Sequence, residues 1–360
     1  MFPVRHYILP CILLLLSSSC DDGKPELQDA GCKATVTLMV SPNGLGDNGY
    51  NDDAATGLFG FAEKTGTRLR LLFPDDEAEA RAMYSQWLTD NERTDSAVLI
   101  LGSSAYEQMA RNISASDKDR LLSLREHGGR VLLFESDAEI DGISTVIVSH
   151  YGVSWLAGAM SKGFDVLILA AATGVPALEQ SIAGFWDARA KYAGSYGGNE
   201  CQTTIHYLSD REEGFAMPDS AYRYIARRAD ETDSYQEMIF PLLGGSGAGV
   251  IRYLNDDRFT RALMVGMDVD QTGQSTRIPF SVVIRIGDVI RKYLNDWSTG
   301  HEWPGHQTLG IMDGAADIAI TPDFNLHLNI WDDRYGNPDT FLRLYEQYRE
   351  EAIRMETEYE

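Results

Sequence analysis

A polar loop near the start of the chain holds several hydrogen-bonding side chains around one aromatic ring. Within nine residues it contains Asn43, Asp47, Asn48, Tyr50 and Asn51. Carboxylate and amide groups bond the polar edge of a small ring, and a tyrosine ring can stack on a flat ligand. The loop therefore predicts a binding site for a small polar solute.

The segments on either side of this loop predict where it lies. The apolar, β-branched run at residues 34–40 indicates a strand, and residues 53–65 have the spacing of an amphipathic helix. In open α/β sheets ligands bind outside the carboxyl ends of the strands, where loops meet helix amino termini. The loop is expected at such a place, together with Ser103, which follows the apolar strand at residues 97–101.

A second loop is rich in glycine. Residues 244–249 read GGSGAG between an apolar strand and a helix, so backbone amides of Gly245 and Ser246 are predicted to approach a ligand closely. The loop lacks the Lys-Ser/Thr pair of a P-loop and the GxGxxG spacing, which argues against a nucleotide-triphosphate or dinucleotide site. A tight strand–helix turn packed on the neighbouring lobe is the alternative.

Asp268 and Asp270 follow another β-branched strand. Two carboxylates two residues apart could bind a cation or a pair of vicinal hydroxyls. The bidentate glutamate that completes an EF-hand is missing, so calcium is disfavoured. Asp268 is therefore predicted to accept sugar hydroxyls, while Asp270 could equally serve in a turn.

Signatures of catalysis are missing from the sequence. It contains no HExxH, no GxSxG and no Cys–His arrangement, and Asp52 and Asp53 suit the first turn of a helix, where the helix dipole favours acidic residues. We therefore predict no catalytic residue, no metal and no cofactor. A metal-dependent envelope hydrolase that uses the acidic loop stays open as a third interpretation.

The first twenty residues have the layout of a cleavable secretory signal. Arg5 precedes the apolar stretch at residues 7–16, which is too short to span a bilayer. The sequence Ser17–Ser18–Ser19–Cys20 is similar to a bacterial lipobox, although Ser17 stands where an aliphatic residue is usual. Residues 1–19 are predicted to be removed, Cys20 to carry the lipid and residues 20–33 to form a tether. Secretion without lipid is the alternative.

Charge and cysteine content narrow the range of partners. The formal net charge of −23 argues against binding to nucleic acid or to an anionic membrane surface. Cys32 and Cys201 would share an oxidising compartment, so a disulfide between them is possible, but sequence alone does not bring them within bridging distance. A monomer is expected.

Alternating strands and helices repeat in two cycles along the chain, which predicts two parallel-sheet lobes with a ligand cleft between them. The N-terminal lobe is predicted from residues 34–149 plus about 272–300. The C-terminal lobe is predicted from residues 150–271 plus about 301–335. A single helix is predicted over residues 280–297, within the segment assigned to the N-terminal lobe. A charged amphipathic helix over residues 336–360 should pack on one lobe.

Five short motifs, in order, resemble the basic membrane protein family of substrate-binding lipoproteins. This family serves ABC transporters and includes purine-nucleoside binders. The matching segments of this chain are GLGDNGYN at residues 44–51, SWLAG with SK at 154–162, AGF at 183–185, GGSGAGV at 244–250 and GMDVDQ at 266–271.

This resemblance implies a class I periplasmic-binding-protein-like fold and a nucleoside site. Tyr50 and Phe185 or Trp186 would sandwich the base, Asp47 and Asn51 would bond its edge, and Asp268 would hold the ribose. The family's lysine near the last helix is Ile284 here, with Arg285 beside it, and its Gly-Gly after a second-lobe strand is Ala171–Ala172.

The sequence therefore predicts a lipid-anchored solute-binding protein in the cell envelope that faces the periplasm or the exterior. Its expected partners are a nucleoside-like solute and the permease and ATPase subunits of an ABC importer. A ligand-sensing or surface receptor without transport is the alternative.

Overall fold

The computed structural model describes residues 35–42, 44–46, 49–94, 96–196, 198–231, 237–256, 262–320 and 338–359. The predicted signal, Cys20, the tether with Cys32, and the loop residues Asp47 and Asn48 lie outside the described residues. Within the described ranges, no helix is both long and apolar enough to cross a bilayer.

The regular elements follow in chain order. The strands are β1 Thr35–Met39, β2 Arg68–Leu72, β3 Ala97–Leu101, β4 Arg130–Phe134, β5 Ser144–Val148, β6 Asp165–Ala170, β7 Ser195–Tyr196, β8 Asn199–Glu200, β9 Thr203–Tyr207, β10 Glu237–Leu242, β11 Leu263–Gly266, β12 Phe280–Ile284, β13 His306–Leu309 and β14 Ala316–Ile320. The helices are α1 Tyr50–Thr65, α2 Glu77–Asn91, α3 Glu107–Arg111, α4 Ala115–Glu126, α5 Tyr151–Met160, α6 Pro176–Tyr192, α7 Pro218–Glu231, α8 Gly247–Leu254, α9 Ile286–Ser298 and α10 Pro338–Tyr359.

The first lobe is built on a parallel sheet in the order β13-β5-β4-β3-β1-β2. Successive side chains of a strand point to opposite faces of the sheet. On one face Val36 and Leu38 pack with α1 residues such as Leu58. On the other face Met39 packs with α2 and α4, and Trp87 Nε1 donates a 3.0 Å hydrogen bond to Thr37 Oγ1. The central strands are buried on both sides, as parallel sheets require.

The second lobe contains a sheet in the order β14-β12-β11-β10-β6-β9, in which only β14 runs antiparallel to its neighbour. Every residue of α5 is buried, because this apolar helix packs against α6 on one side and α10 on the other. The predicted C-terminal helix is thus present as α10, and it packs on this lobe. Glu351 of α10 accepts a 2.7 Å hydrogen bond from Tyr192.

Three segments cross between the lobes, after β5, after β12 and after β13. Each leaves the carboxyl end of a strand, and β14 begins opposite the carboxyl end of β12, where Ala316 pairs with Ile284. The crossovers are bonded to one another: the amide of Ser149 donates to Leu309 O over 2.7 Å, and that of Arg285 to Ala315 O over 2.8 Å. The carboxyl edges of the two sheets consequently face each other.

Two predicted boundaries differ from the structure. Residues 280–297 form strand β12 followed by helix α9, and β12 lies in the second sheet, whereas the sequence predicts this segment in the first lobe. The β-branched run Val282–Ile284 favours a strand, and only the residues after it have helical periodicity. Conversely, β13, assigned to the second lobe, pairs with β5 in the first sheet.

Candidate functional site

The start of α1 brings the polar loop to the carboxyl edge of the first sheet. Tyr50 is the first residue of the helix and is half-buried, and Asn51 is buried. Asp52 Oδ1 accepts a 2.8 Å hydrogen bond from the amide of Gly46, which fastens the glycine-containing loop to the helix. Acidic residues in the first turn also suit the positive end of the helix dipole, as the sequence predicts for Asp52 and Asp53.

Ser103 follows β3 at the same edge. Its Oγ accepts a 3.1 Å hydrogen bond from the amide of Ala105 and caps a short 3-10 turn. The serine is half-buried, so its hydroxyl caps the turn and remains partly accessible. The structure thus places Tyr50, Asn51 and Ser103 at the carboxyl ends of neighbouring strands, β1 and β3.

Glu135 and His150 are two further polar residues at this edge that the motifs do not indicate. Glu135 follows β4 with a left-handed backbone, φ 56°, and His150 lies in the first crossover. Glu135 Oε2 lies 3.8 Å from His150 Nε2. The only sequence signal for them is a polar residue directly after an apolar strand, which is common on protein surfaces.

Asp268 occupies the matching position on the second lobe, just beyond β11. It too has a left-handed backbone, φ 69°, and its carbonyl accepts a 2.9 Å hydrogen bond from the amide of Ile284. Left-handed backbone is unfavourable for residues other than glycine, so two such residues at facing sheet edges mark a constrained site. The negative charge of Asp268 acts on His150.

Electrostatics tie these groups together. Burial alone would lower the pKa of His150, but the adjacent Glu135 carboxylate and the charges of Asp268 and Glu356 outweigh it and raise the pKa. Glu135 belongs to the first lobe, Asp268 to the second and Glu356 to α10. A single imidazole is therefore surrounded by carboxylates from three parts of the fold, and they favour its protonated form.

Ser246, one of the predicted ligand residues, instead fastens the glycine-rich loop to the protein. Ser246 is fully buried; its Oγ donates to Gly214 O over 2.7 Å and accepts from the amide of Met217 over 2.5 Å. These bonds fasten the loop to the segment before α7. Gly245, by contrast, is half-buried at the carboxyl end of β10, where its backbone can face a ligand.

Phe185 and Trp186 do not lie at the cleft, contrary to the sandwich that the resemblance implies. Phe185 is 0% exposed and stacks on Phe240 with ring centroids 4.3 Å apart, so it belongs to the core between α6 and the sheet. Trp186 is 45% exposed and borders a surface pocket of about 530 Å³ together with Arg189 and Thr203.

The two departures from the family pattern also have clear positions. Ile284 is buried within β12, and Arg285 Nη1 donates a 3.0 Å hydrogen bond to Gly314 O in the third crossover. Ala171 and Ala172 directly follow β6 in the sequence, and both are buried. The arginine next to the missing lysine thus joins two crossovers.

Cys201 is buried beside the pocket that Trp186 borders. Its predicted partner, Cys32, lies outside the described residues, so the disulfide stays a prediction.

Two α/β lobes, three crossovers and facing carboxyl edges define a class I periplasmic-binding-protein-like fold. No protein-family model matches the chain. Among solved structures it resembles an ABC transporter solute-binding protein from Aeropyrum pernix K1, at 15% identity over 90% of both chains with a TM-score of 0.61.

Two further likenesses are similar in extent. A carbohydrate transporter solute-binding protein from Agrobacterium radiobacter, solved with D-arabinose, shares 14% identity over 81% of this chain and 95% of that chain, with a TM-score of 0.55. A transcriptional activator of the comK gene from Bacillus halodurans shares 14% identity over 84% and 99%, with a TM-score of 0.59. At such identities the likeness shows the fold alone, and the fold class predicted from the sequence is confirmed.

Proposed function

We propose that the chain is an extracytoplasmic solute-binding lipoprotein that captures a small polar solute, a nucleoside or a related compound, for an ABC-type importer. One observation carries the proposal: Asp268 of the second lobe acts electrostatically on His150, which lies in the crossover from the first lobe. Charged side chains of both lobes are therefore within electrostatic range of each other at the carboxyl edges. A solute that touches both lobes favours their closed arrangement.

Each remaining site residue has a defined part in this proposal. The ring of Tyr50 stacks on one face of the base, Asn51 and Ser103 bond its edge, and Asp268 accepts hydroxyls of the sugar. Gly245 offers backbone close to the ligand. Asp47 and Asn48 belong to the same proposed loop. Since Phe185 is in the core, stacking would be one-sided or completed by another side chain.

The membrane and transport parts rest on sequence and on fold. Cys20 would carry the lipid, and the tether would let a monomeric two-lobed body reach a permease and its ATPase. Proteins described as ABC solute-binding proteins, including one solved with D-arabinose, share the fold. The net charge of −23 supports a small solute over a nucleic acid.

Isothermal titration of the purified full-length chain in mild detergent tests the proposal. The probes are adenosine, inosine, adenine, D-ribose and D-arabinose. Asp268→Asn is expected to weaken nucleoside binding about tenfold or more, because a hydrogen bond to a carboxylate is lost. Asp270→Asn is the matched control: Asp270 is exposed and accepts the 3.0 Å bond from the amide of Thr272 in a turn. Wild-type protein that binds none of the nucleosides would contradict the nucleoside assignment.

A further inference from the structure

Glu135 and His150 meet at the cleft with their hydrogen bonding incomplete. Their side chains are 14% and 9% exposed, and the 3.8 Å between Glu135 Oε2 and His150 Nε2 is longer than a hydrogen bond. Across the part of the chain that the structure describes, neither Glu135 Oε1 nor His150 Nε2 has a hydrogen-bond partner. Two polar groups of opposite character thus lie side by side, and each has one buried atom that is unsatisfied.

Such an arrangement is unfavourable for the protein alone. Buried polar atoms without partners destabilise a fold, and Glu135 in addition holds a left-handed backbone that residues other than glycine rarely adopt. Both costs fall on one residue at the carboxyl end of β4, where ligands bind in this architecture. A ligand group that bonded both atoms would remove the first cost.

The chemistry of the two atoms defines that group. The carboxylate of Glu135 only accepts hydrogen bonds, whereas the protonated imidazole only donates them. The surrounding charges of Glu135, Asp268 and Glu356 raise the pKa of His150 despite its burial, which favours the form in which Nε2 donates a hydrogen bond. A hydroxyl can donate to Glu135 and accept from His150 at the same time. A protonated amine cannot accept, a ketone cannot donate, and three carboxylates repel a phosphate.

We propose that Glu135 and His150 together bind one hydroxyl of the solute, while Asp268 on the opposite lobe binds a second. The proposal rests on the proposed function of the cleft and narrows it: the solute enters with an unphosphorylated sugar moiety directed at the crossover. Nucleosides and free pentoses fit this description, whereas nucleotides and free bases do not.

Titration of the full-length chain with paired probes tests the proposal. The probes are adenosine, 2′,3′-dideoxyadenosine, adenosine 5′-monophosphate, adenine, D-ribose and D-arabinose. Wild-type protein is expected to bind adenosine or a pentose about tenfold or more tightly than 2′,3′-dideoxyadenosine, which lacks the 2′ and 3′ hydroxyls. In Glu135→Gln and His150→Gln this preference should shrink to a few-fold. Asp137→Asn, an exposed carboxylate in the same loop, should behave as wild type.

The outcomes separate this inference from the function it rests on. Adenosine binding that is unchanged in Glu135→Gln and His150→Gln would overturn the inference and leave the nucleoside function standing. Pentose binding that depends on both residues, without nucleoside binding, would support the inference and overturn the nucleoside assignment. A wild type that binds adenine or dideoxyadenosine as well as adenosine, or none of the hydroxylated probes, would overturn the inference. That wild-type comparison decides even if both variants fail to fold.

Discussion

The carboxylate of Asp53 accepts a 2.7 Å hydrogen bond from the backbone amide of Gly287. Asp53 lies in the first turn of α1, and Gly287 is the second residue of α9, which has just returned from the second lobe. The two helices approach so closely here that a Cβ on Gly57 would overlap the carbonyl of Gly287. The second crossover is therefore anchored in the first lobe by this contact.

Gly57→Ala should destabilise the protein through this contact. The added methyl group meets backbone, which cannot move aside as a flexible side chain can, and overpacking of this kind costs about 1–3 kcal/mol. Gly60→Ala is the matched control on the same helix, since its Cβ would come no nearer than 3.8 Å to Arg291. The control should match or exceed wild type because alanine favours helix over glycine by up to about 1 kcal/mol. Urea unfolding of both variants checks this, and equal midpoints would contradict the close packing.

Asp53 should also make stability depend on pH. Burial raises the pKa of its carboxyl above 3.8, an effect that the bond from Gly287 reduces without cancelling. The folded state therefore holds the proton more tightly than the unfolded state, and the contribution of Asp53 to stability falls as pH rises through the folded pKa. Asp53→Asn keeps an acceptor for Gly287 and lacks this titration. Its stability relative to wild type should therefore increase from about pH 4 to pH 7, and a constant difference would refute the assignment.

Substitutions of Phe185 and Trp186 should affect stability differently and leave solute affinity unchanged. Phe185→Ala removes a fully buried ring and is expected to lower the free energy of unfolding by about 3–5 kcal/mol. Trp186→Ala changes a half-exposed side chain and should stay within about 0.5 kcal/mol of wild type. Thermal unfolding measures both effects. Neither variant should alter the affinity for a solute under conditions where it is folded. Loss of solute binding in Trp186→Ala would show that this ring belongs to the site.

Glu356 should hold α10 to the crossovers. Its Oε2 accepts a 3.0 Å hydrogen bond from the amide of Ile311, and its carboxylate fills the space above Gly152 and Gly310. Glu356→Ala removes the acceptor bonded to a buried backbone amide and should cost about 1–3 kcal/mol. Glu356→Gln keeps an acceptor of the same shape and should cost less. Urea midpoints that ranked alanine equal to glutamine would argue against this hydrogen bond as the source of the effect.

Much of the architecture could be predicted because burial leaves a simple pattern. The apolar β-branched segments at residues 97–101, 130–134 and 165–170 are strands as expected, since strands buried on both faces are continuously apolar. The pattern failed at β12, where a strand runs into a helix after a single residue. The local sequence does not indicate which sheet β12 and β13 join, because that depends on their pairing with distant strands.

The positions of candidate site residues at the sheet edges could be predicted where a polar residue follows an apolar strand or starts a helix. Tyr50, Asn51, Ser103 and Asp268 follow strands and reach the carboxyl edges. Phe185 was misplaced because a motif gives residue types but not the helix face, and Gly184 brings that part of α6 against α5. Glu135 and His150 were missed because their significance comes from their mutual distance and burial, which arise only when β4 and the first crossover meet.

The end of α10 contacts the crossovers between the lobes from outside the cleft. Tyr359 stacks on Tyr151 with ring centroids 4.0 Å apart, directly after the first crossover, and Glu356 bonds the third. A hinge rotation that turned those crossovers would have to shift these contacts as well. The position of α10 would thus depend on whether the cleft holds a solute. A membrane partner that bound the outer face of α10 could therefore distinguish loaded from empty protein without contacting the solute.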